Sequence, residues 1–345
     1  MATVRTTLTG ALVLAGAIAP GAARAADAAL IEAARKEGQV NWYSTQIISQ
    51  LVRPMTAAFE RKYPGIRVRA TRANATEVAI KILGESRAGR VQADMFDGTT
   101  TVVPLRKEGF VLQWLPDSAK DYAAEFKDPQ GYWIASNLYI ITPAFNTSLV
   151  PKGTEPKTYQ DLLDPKWRGR MAWNAFPTSS GVGGFVGTVL AEMGEPKGRA
   201  YLGELANQHV ANLPGSAREV LDQVIAGEYA IALQIFNHHA VISARKGAPV
   251  DWIKMEPATE TLSVLSVHKN APHPNAAKLL VEFIMSKEGQ QVFRDNYYIP
   301  ASPAVPALEP TLKPHEGKFR VRYFSPEQTE DKMPQWKKVS DEFFR

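Results

Sequence analysis

The 345-residue chain contains no cysteine. Disulfides and thiolate metal sites are therefore excluded, and so is a lipid anchor on a cysteine at the expected cleavage point. Long apolar runs are missing too. The run at 8–19 is too short to span a bilayer, so stable membrane insertion is not expected. No basic stripe with interleaved aromatics is present, and nucleic acid is not an expected partner. There is no internal repeat and no low-complexity tract. Hydrolysis needs an activated nucleophile with a base beside it, and no such pair stands out. The glycine-rich stretch GVGGFVG at 181–187 lacks the P-loop lysine and the GxGxxG spacing. An enzyme has no positive support, and no cofactor is expected.

What is present begins with an export signal. Arg5 gives a short positive start, 8–19 an apolar core, and Ala23-Arg24-Ala25 a small-x-small cleavage site. Residues 1–25 are expected to be removed, leaving a soluble protein in a Gram-negative periplasm. The formal charge is +5, less the two charges of Arg5 and Arg24. That mild excess suits an anionic ligand without demonstrating one. The roughly 320 remaining residues exceed what one core usually serves, so two lobes are expected.

Residues 39–65, QVNWYSTQIISQLVRPMTAAFERKYPG, read as strand, polar loop and helix. Residues 40–43 are apolar and β-prone. Ile48, Leu51, Val52, Met55 and Phe59 recur at spacings of 3 and 4, which predicts a helix over 47–62. Ligands of open α/β sheets bind at the carboxyl ends of strands, where a helix N-terminus offers free N–H groups. Ser44, Thr45 and Gln46 are so placed, with helix capping as the other reading of Ser44 or Thr45. The design repeats at 93–107: an apolar strand opens into a loop carrying Thr99 and Thr100, again either ligand contacts or caps. Residues 112–127 read as a surface segment.

Residues 133–145, WIASNLYIITPAF, form an apolar strand with Asn137 and Tyr139 embedded; Tyr139 is either packing or a ligand contact. The loop at 177–183 puts Ser179, Ser180, Gly181 and Val182 between a strand ending at Trp173 and a helix starting near Gly183. Small hydroxyl residues beside glycine let backbone approach an anion; a flexible capped turn is the alternative. Arg218 enters a helix over 219–226. A cation is awkward there, and a bound anion would relieve it unless Arg218 is a plain surface residue. A buried strand over 229–236 leads to Asn237, His238 and His239 at a helix start. Strands are expected at 253–256 and 262–268, a helix at 274–285 that continues helical through 286–294, and a last helix from Ser325-Pro326, a hydroxyl cap before a first-turn proline.

Three segments carry a family resemblance: NWYSTQ with its helix ending FERKYPGIRV, TYQDLLDPKWRGRMAW at 158–173, and APHPNAAKLLVEFIMSKEGQQVF at 271–293. The chain resembles periplasmic solute-binding proteins of ABC importers, the group that includes ferric-iron, phosphonate, sugar-phosphate and thiamine binders. The resemblance implies a type II two-lobe α/β periplasmic-binding-protein fold, with mixed sheets and two crossover strands as hinge. Lobe 1 is then 26–138 with 258–300, lobe 2 is 139–257, and 301–345 braces both. It also implies that Ser180, Gly181 and Val182 match the loop that holds the anion beside iron in ferric binders. The ferric relatives' histidine, glutamate and paired tyrosines are replaced here by Ile47, Thr99, Asn237 and His238. Tyr297-Tyr298 lies elsewhere in the pattern and reads as packing before Pro300. The remaining donors suit a small anion, such as a phosphonate, organophosphate or carboxylate, bound by hinge closure and passed to a membrane permease. A ferric or other metal binder is the alternative, an enzyme on the same scaffold a lesser one. A monomer is expected.

Overall fold

A computed structural model describes residues 21–174 and 184–344. The strands are β1 (Gln39–Ser44), β2 (Arg67–Arg72), β3 (Met95–Gly98), β4 (Ile134–Asn146), β5 (Met171–Trp173), β6 (Ala211–Asn212), β7 (Ile231–Phe236), β8 (Val250–Trp252), β9 (Ala258–Val267), β10 (Ile299–Pro300) and β11 (Val321–Tyr323). The helices are α1 (Gly21–Glu37), α2 (Arg53–Lys62), α3 (Ala75–Arg87), α4 (Val102–Lys107), α5 (Gly184–Met193), α6 (Glu195–Ala206), α7 (Ala217–Ala226), α8 (Asn237–Ala244), α9 (Pro274–Met285), α10 (Lys287–Asp295), α11 (Pro314–Gly317) and α12 (Pro326–Phe343).

The strands join in one path, β2-β1-β3-β9-β4-β7-β5-β6, with β10 and β8 against β4 and β11 against β9. Two parallel groups, β2-β1-β3 and β7-β5-β6, are joined through the antiparallel pair β9-β4. A mixed sheet in each lobe was the expectation; the two are continuous because β4 serves both. Its first half pairs with β9 and β10, its second half with β7 and β8. β4 and β9 are buried along their whole length, as strands covered on both faces must be.

The core divides the same way. One apolar cluster packs Trp42, Met55, Phe59, Phe96, Leu265 and Phe283 around the first group of strands. Two others, one around Trp173, Phe185 and Trp336 and one around Val220, Val224 and Ile235, cover the second. Local signals set the helix starts. Asn74 with Glu77, Ser216 with Glu219, and Ser325 with Gln328 form reciprocal caps on α3, α7 and α12. Gly227 takes the left-handed conformation that ends α7.

Several expectations need correction. The helix over 47–62 begins as a π-helical turn, Ile48–Val52, before α2. Residues 253–256 are not a strand; β8 ends at Trp252, and the return crossover is the single long β9. Residues 112–127 are not simply surface: Ala119 and Tyr122 are buried, and the Tyr122 hydroxyl donates to the Met285 carbonyl at 2.9 Å. Residues 286–294 are a separate helix, because Ser286 leaves helical geometry and caps α10.

Candidate functional site

The carboxyl ends of β1, β3 and β7 meet beside the β4–β9 crossing. At the end of β1, Ser44 and Gln46 are buried and Thr45 half-buried. Asp97 on β3 organises this loop. Its two oxygens accept from Trp42 Nε1 at 2.7 Å, Thr45 N at 2.8 Å and Thr45 Oγ1 at 2.6 Å. Burial pushes the Asp97 carboxyl up, against the pull of these donors. Sequence reasoning passed over Asp97, although a lone acid in an apolar strand was a signal that could have found it. Gly98 has φ +143°, and a Cβ there would meet Thr101 Oγ1 at 2.2 Å and Thr45 Cγ2 at 3.1 Å. Glycine thus lets the two loops touch. Thr99 and Thr100 are buried and neither is the cap of α4, whose first flanking residue is Thr101.

Gln46 ties the β1 loop to the crossing. Its Nε2 donates to Asn137 Oδ1 at 3.0 Å and to Ser263 Oγ at 2.9 Å, and its Oε1 accepts from the Tyr139 hydroxyl at 3.0 Å. Ser136 Oγ also donates to Asn137 Oδ1. Gln46, Asn137 and Tyr139 thus come together in a network linking β1, β4 and β9. Ser263 was missed because its part depends on the β4–β9 register.

At the end of β7, Asn237, His238 and His239 start α8 and are buried. Asn237 Nδ2 donates to the Leu312 carbonyl at 3.0 Å, so its amide faces the C-terminal segment. The His238 ring is fully buried inside a group of rings. Tyr298 lies 4.7 Å away between centroids, His239 4.4 Å, Phe236 5.8 Å and Tyr139 6.0 Å. Neither His238 nitrogen has a hydrogen-bond partner. Burial, then the neighbouring His239, hold His238 well below the usual imidazole range, and burial with Arg218 lowers His239 to about 3. Both imidazoles are neutral. Burial likewise pushes the Tyr139 and Tyr298 phenols up, so both keep their protons.

Arg218 sits in the first turn of α7. Its guanidinium pairs with Asp222 at 2.6 Å and donates to Ser243 Oγ on α8 at 2.9 Å. Asp222, one turn on, supplies the relief for which an anion was expected. Arg218 is also the charge that acts on His239, so it borders the buried ring group. Ser179, Ser180, Gly181 and Val182 lie outside the described residues. Among the described residues no group of three or more His, Cys, Asp or Glu could hold a metal ion, and no helix is long and apolar enough to cross a membrane.

This arrangement has counterparts. An Fe(3+)-binding periplasmic protein of Serratia marcescens is 22% identical over 242 residues, covering 68% of this chain and 70% of its own length. The structure of iron-bound HitA from Pseudomonas aeruginosa superposes with TM-score 0.76 at 22% identity, covering 89% of this chain and 99% of that one. AfuA from Actinobacillus pleuropneumoniae, solved with exogenous fructose-6-phosphate bound, gives TM-score 0.74 at 22% identity, covering 89% and 98%. At these identities the likeness establishes the fold, that of type II periplasmic binding proteins. The family described as bacterial extracellular solute-binding protein matches residues 91–321, from the strand that carries Asp97 to the last strand of the sheet. Two parallel groups of strands joined by two crossovers, loops converging on a buried polar site, and this match lead to one assignment: the chain belongs to the bacterial extracellular solute-binding proteins, the substrate-binding components of ABC importers, and is not an enzyme.

Proposed function

We propose that the solute is a small organic anion bearing a phosphate, phosphonate or carboxylate, gripped between the lobes by hinge closure. The observation that carries this reading is the buried donor set: both His238 nitrogens lack a partner, burial favours the neutral forms of His238, His239, Tyr139 and Tyr298, and Asp97, the buried acid between the two loops, already accepts three hydrogen bonds. Positive charge at the border of this set comes from the guanidinium of Arg218, paired with Asp222, and from Arg72, which acts on the Tyr298 phenol from the first lobe. Neutral donors beside guanidinium groups suit an anion. The loop at Ser179, Ser180, Gly181 and Val182 would add hydroxyls and backbone N–H groups. Export, with cleavage after Ala25, belongs to the same reading; the mature protein then begins at Ala26, and a start at Met1 or Ala2 by N-terminal sequencing would contradict it.

A second reading is ferric ion. It is favoured by the two phenols, Tyr139 and Tyr298, that share ring contacts with His238, and by relatives described as binding or taking up iron. Ferric ion would have to strip the proton from a buried phenol. Native mass spectrometry of protein purified from the periplasm tests both readings. An added mass of an organic anion supports the first. An iron adduct, with a visible phenolate charge-transfer band on ferric titration, replaces it with the second.

A further inference from the structure

Tyr298 belongs to the segment after α10 and lies 159 residues from Tyr139, the other phenol of the site, yet it is buried against His238. Two features put it there. Tyr297 adopts φ 62°, a left-handed turn that reverses the chain after α10. Ile299 and Pro300 then pair with Leu138 and Asn137 on β4, which carries the Tyr298 ring into the crossing. Across the site stands His238 of α8, fully buried with both ring nitrogens unpartnered. A buried polar group without a partner is destabilising, and here two sit on one ring, facing a phenol from the opposite lobe.

We infer that Tyr298 and His238 form a neutral subsite, beside the ring group that Arg218 borders, which takes an uncharged group of the solute that both donates and accepts hydrogen bonds. The inference rests on the anion reading above and adds to it. A neutral imidazole offers one N–H and one lone pair in a single plane. A fully ionised oxyanion can use the N–H but leaves the lone pair facing oxygen. The two nitrogens point apart and each needs its own partner, and the lone pair requires a donor, which a hydroxyl or a primary amide supplies. The solute is then bifunctional: its charged end goes to the guanidinium side, and its hydroxyl or amide end to Tyr298 and His238. Sites built to hydrogen-bond such a group reject the analogue lacking it far more strongly than pockets that only pack it.

The test is calorimetric titration of extensively dialysed mature protein with matched probes: glycerol 3-phosphate against n-propyl phosphate, and glycerate against propionate. The hydroxylated member of at least one pair should bind at least tenfold tighter. Tyr298→Phe keeps the ring and removes the hydroxyl, and His238→Phe removes both nitrogens. Each should cut that ratio below threefold. Equal affinities within both pairs overturn the inference and leave the anion reading standing. Absence of binding by all four probes overturns both. A ratio that survives in Tyr298→Phe and His238→Phe shows that hydroxyl recognition lies elsewhere and also overturns it. The wild-type comparison needs no variant, and Tyr298→Phe carries the test if His238→Phe does not fold.

Discussion

Replacing Asp97 by Asn changes one atom at the point where the β1 loop is held. Asp97 is 1% exposed, and each of its oxygens meets an obligate N–H donor: Thr45 N on one, Trp42 Nε1 on the other. Asn offers one oxygen and one NH2. With the oxygen kept against Thr45, the NH2 confronts the indole N–H, donor to donor. The stranded indole costs about 1–3 kcal/mol. The bonds to Thr45 also lose their charge assistance, which roughly halves them. The total is about 2–4 kcal/mol, a large part of a typical stability of about 5–15 kcal/mol. At an unfolding entropy of about 2.1 cal/mol/K per residue, the roughly 320 residues give about 1.5 °C per kcal/mol, so the melting temperature should fall by about 3–6 °C. Asp97→Ala should fall further, since every donor loses its acceptor. Thermal melts followed by circular dichroism at pH 7, with indole fluorescence to report on Trp42, make the measurement. Burial pushes this carboxyl up, and a protonated Asp97 would be mimicked well by Asn. An Asp97→Asn melt within 2 °C of the parent would therefore refute the argument that these three donors keep the group ionised.

Arg218→Ala should weaken binding of the anion identified by mass spectrometry about ten- to a hundredfold, the worth of one charge-assisted contact; calorimetry that finds parental affinity would make Arg218 a surface residue paired to Asp222. Glu260 on β9 is pushed up to about 7 by burial and Glu125, against Lys313. Its folded pKa lies above the unfolded value, so its contribution is complete below about pH 4.3 and is lost as pH rises through about 7. Melting temperature should fall across that window in the parent, and Glu260→Gln should flatten the slope. Gly187→Ala puts a Cβ 2.5 Å from the Trp336 ring, an overpacking worth about 1–3 kcal/mol; a lowered melt with red-shifted tryptophan emission is expected, and an unchanged pair of readings would show that α12 yields without cost.

Local chemistry made much of this legible. The α2 stripe from Leu51 to Phe59, the Ser325-Pro326 start of α12 and the hydroxyls at the ends of β1 and β3 are set by residues close in sequence. Long-range pairing hid the rest. Tyr298 reads as packing until β10 is laid on β4. Ser263 has no visible role until the β9 register places it against Gln46. Asn237, at a strand end like His238, points its amide at Leu312 instead of inward, a choice made by a segment 75 residues away. Strand ends locate a site; the partners that saturate or free each polar atom come from chain that is distant in sequence.

The last helix is fastened unequally. Near its start Glu327 accepts from Trp133 Nε1 at 2.9 Å and from Arg106 at 3.4 Å, partly exposed polar contacts to the first lobe. Farther along, Trp336 is 3% exposed and pressed on Gly187 of α5 in the second. Polar contacts at a wet edge can be exchanged for water at small cost, whereas withdrawing a buried indole cannot. When the lobes part, α12 should travel with the second and slide at its Glu327 end. It then works as a tether with one fixed end and one slipping end, and the reach of the Glu327 contacts sets how far the cleft opens before the strap pulls taut.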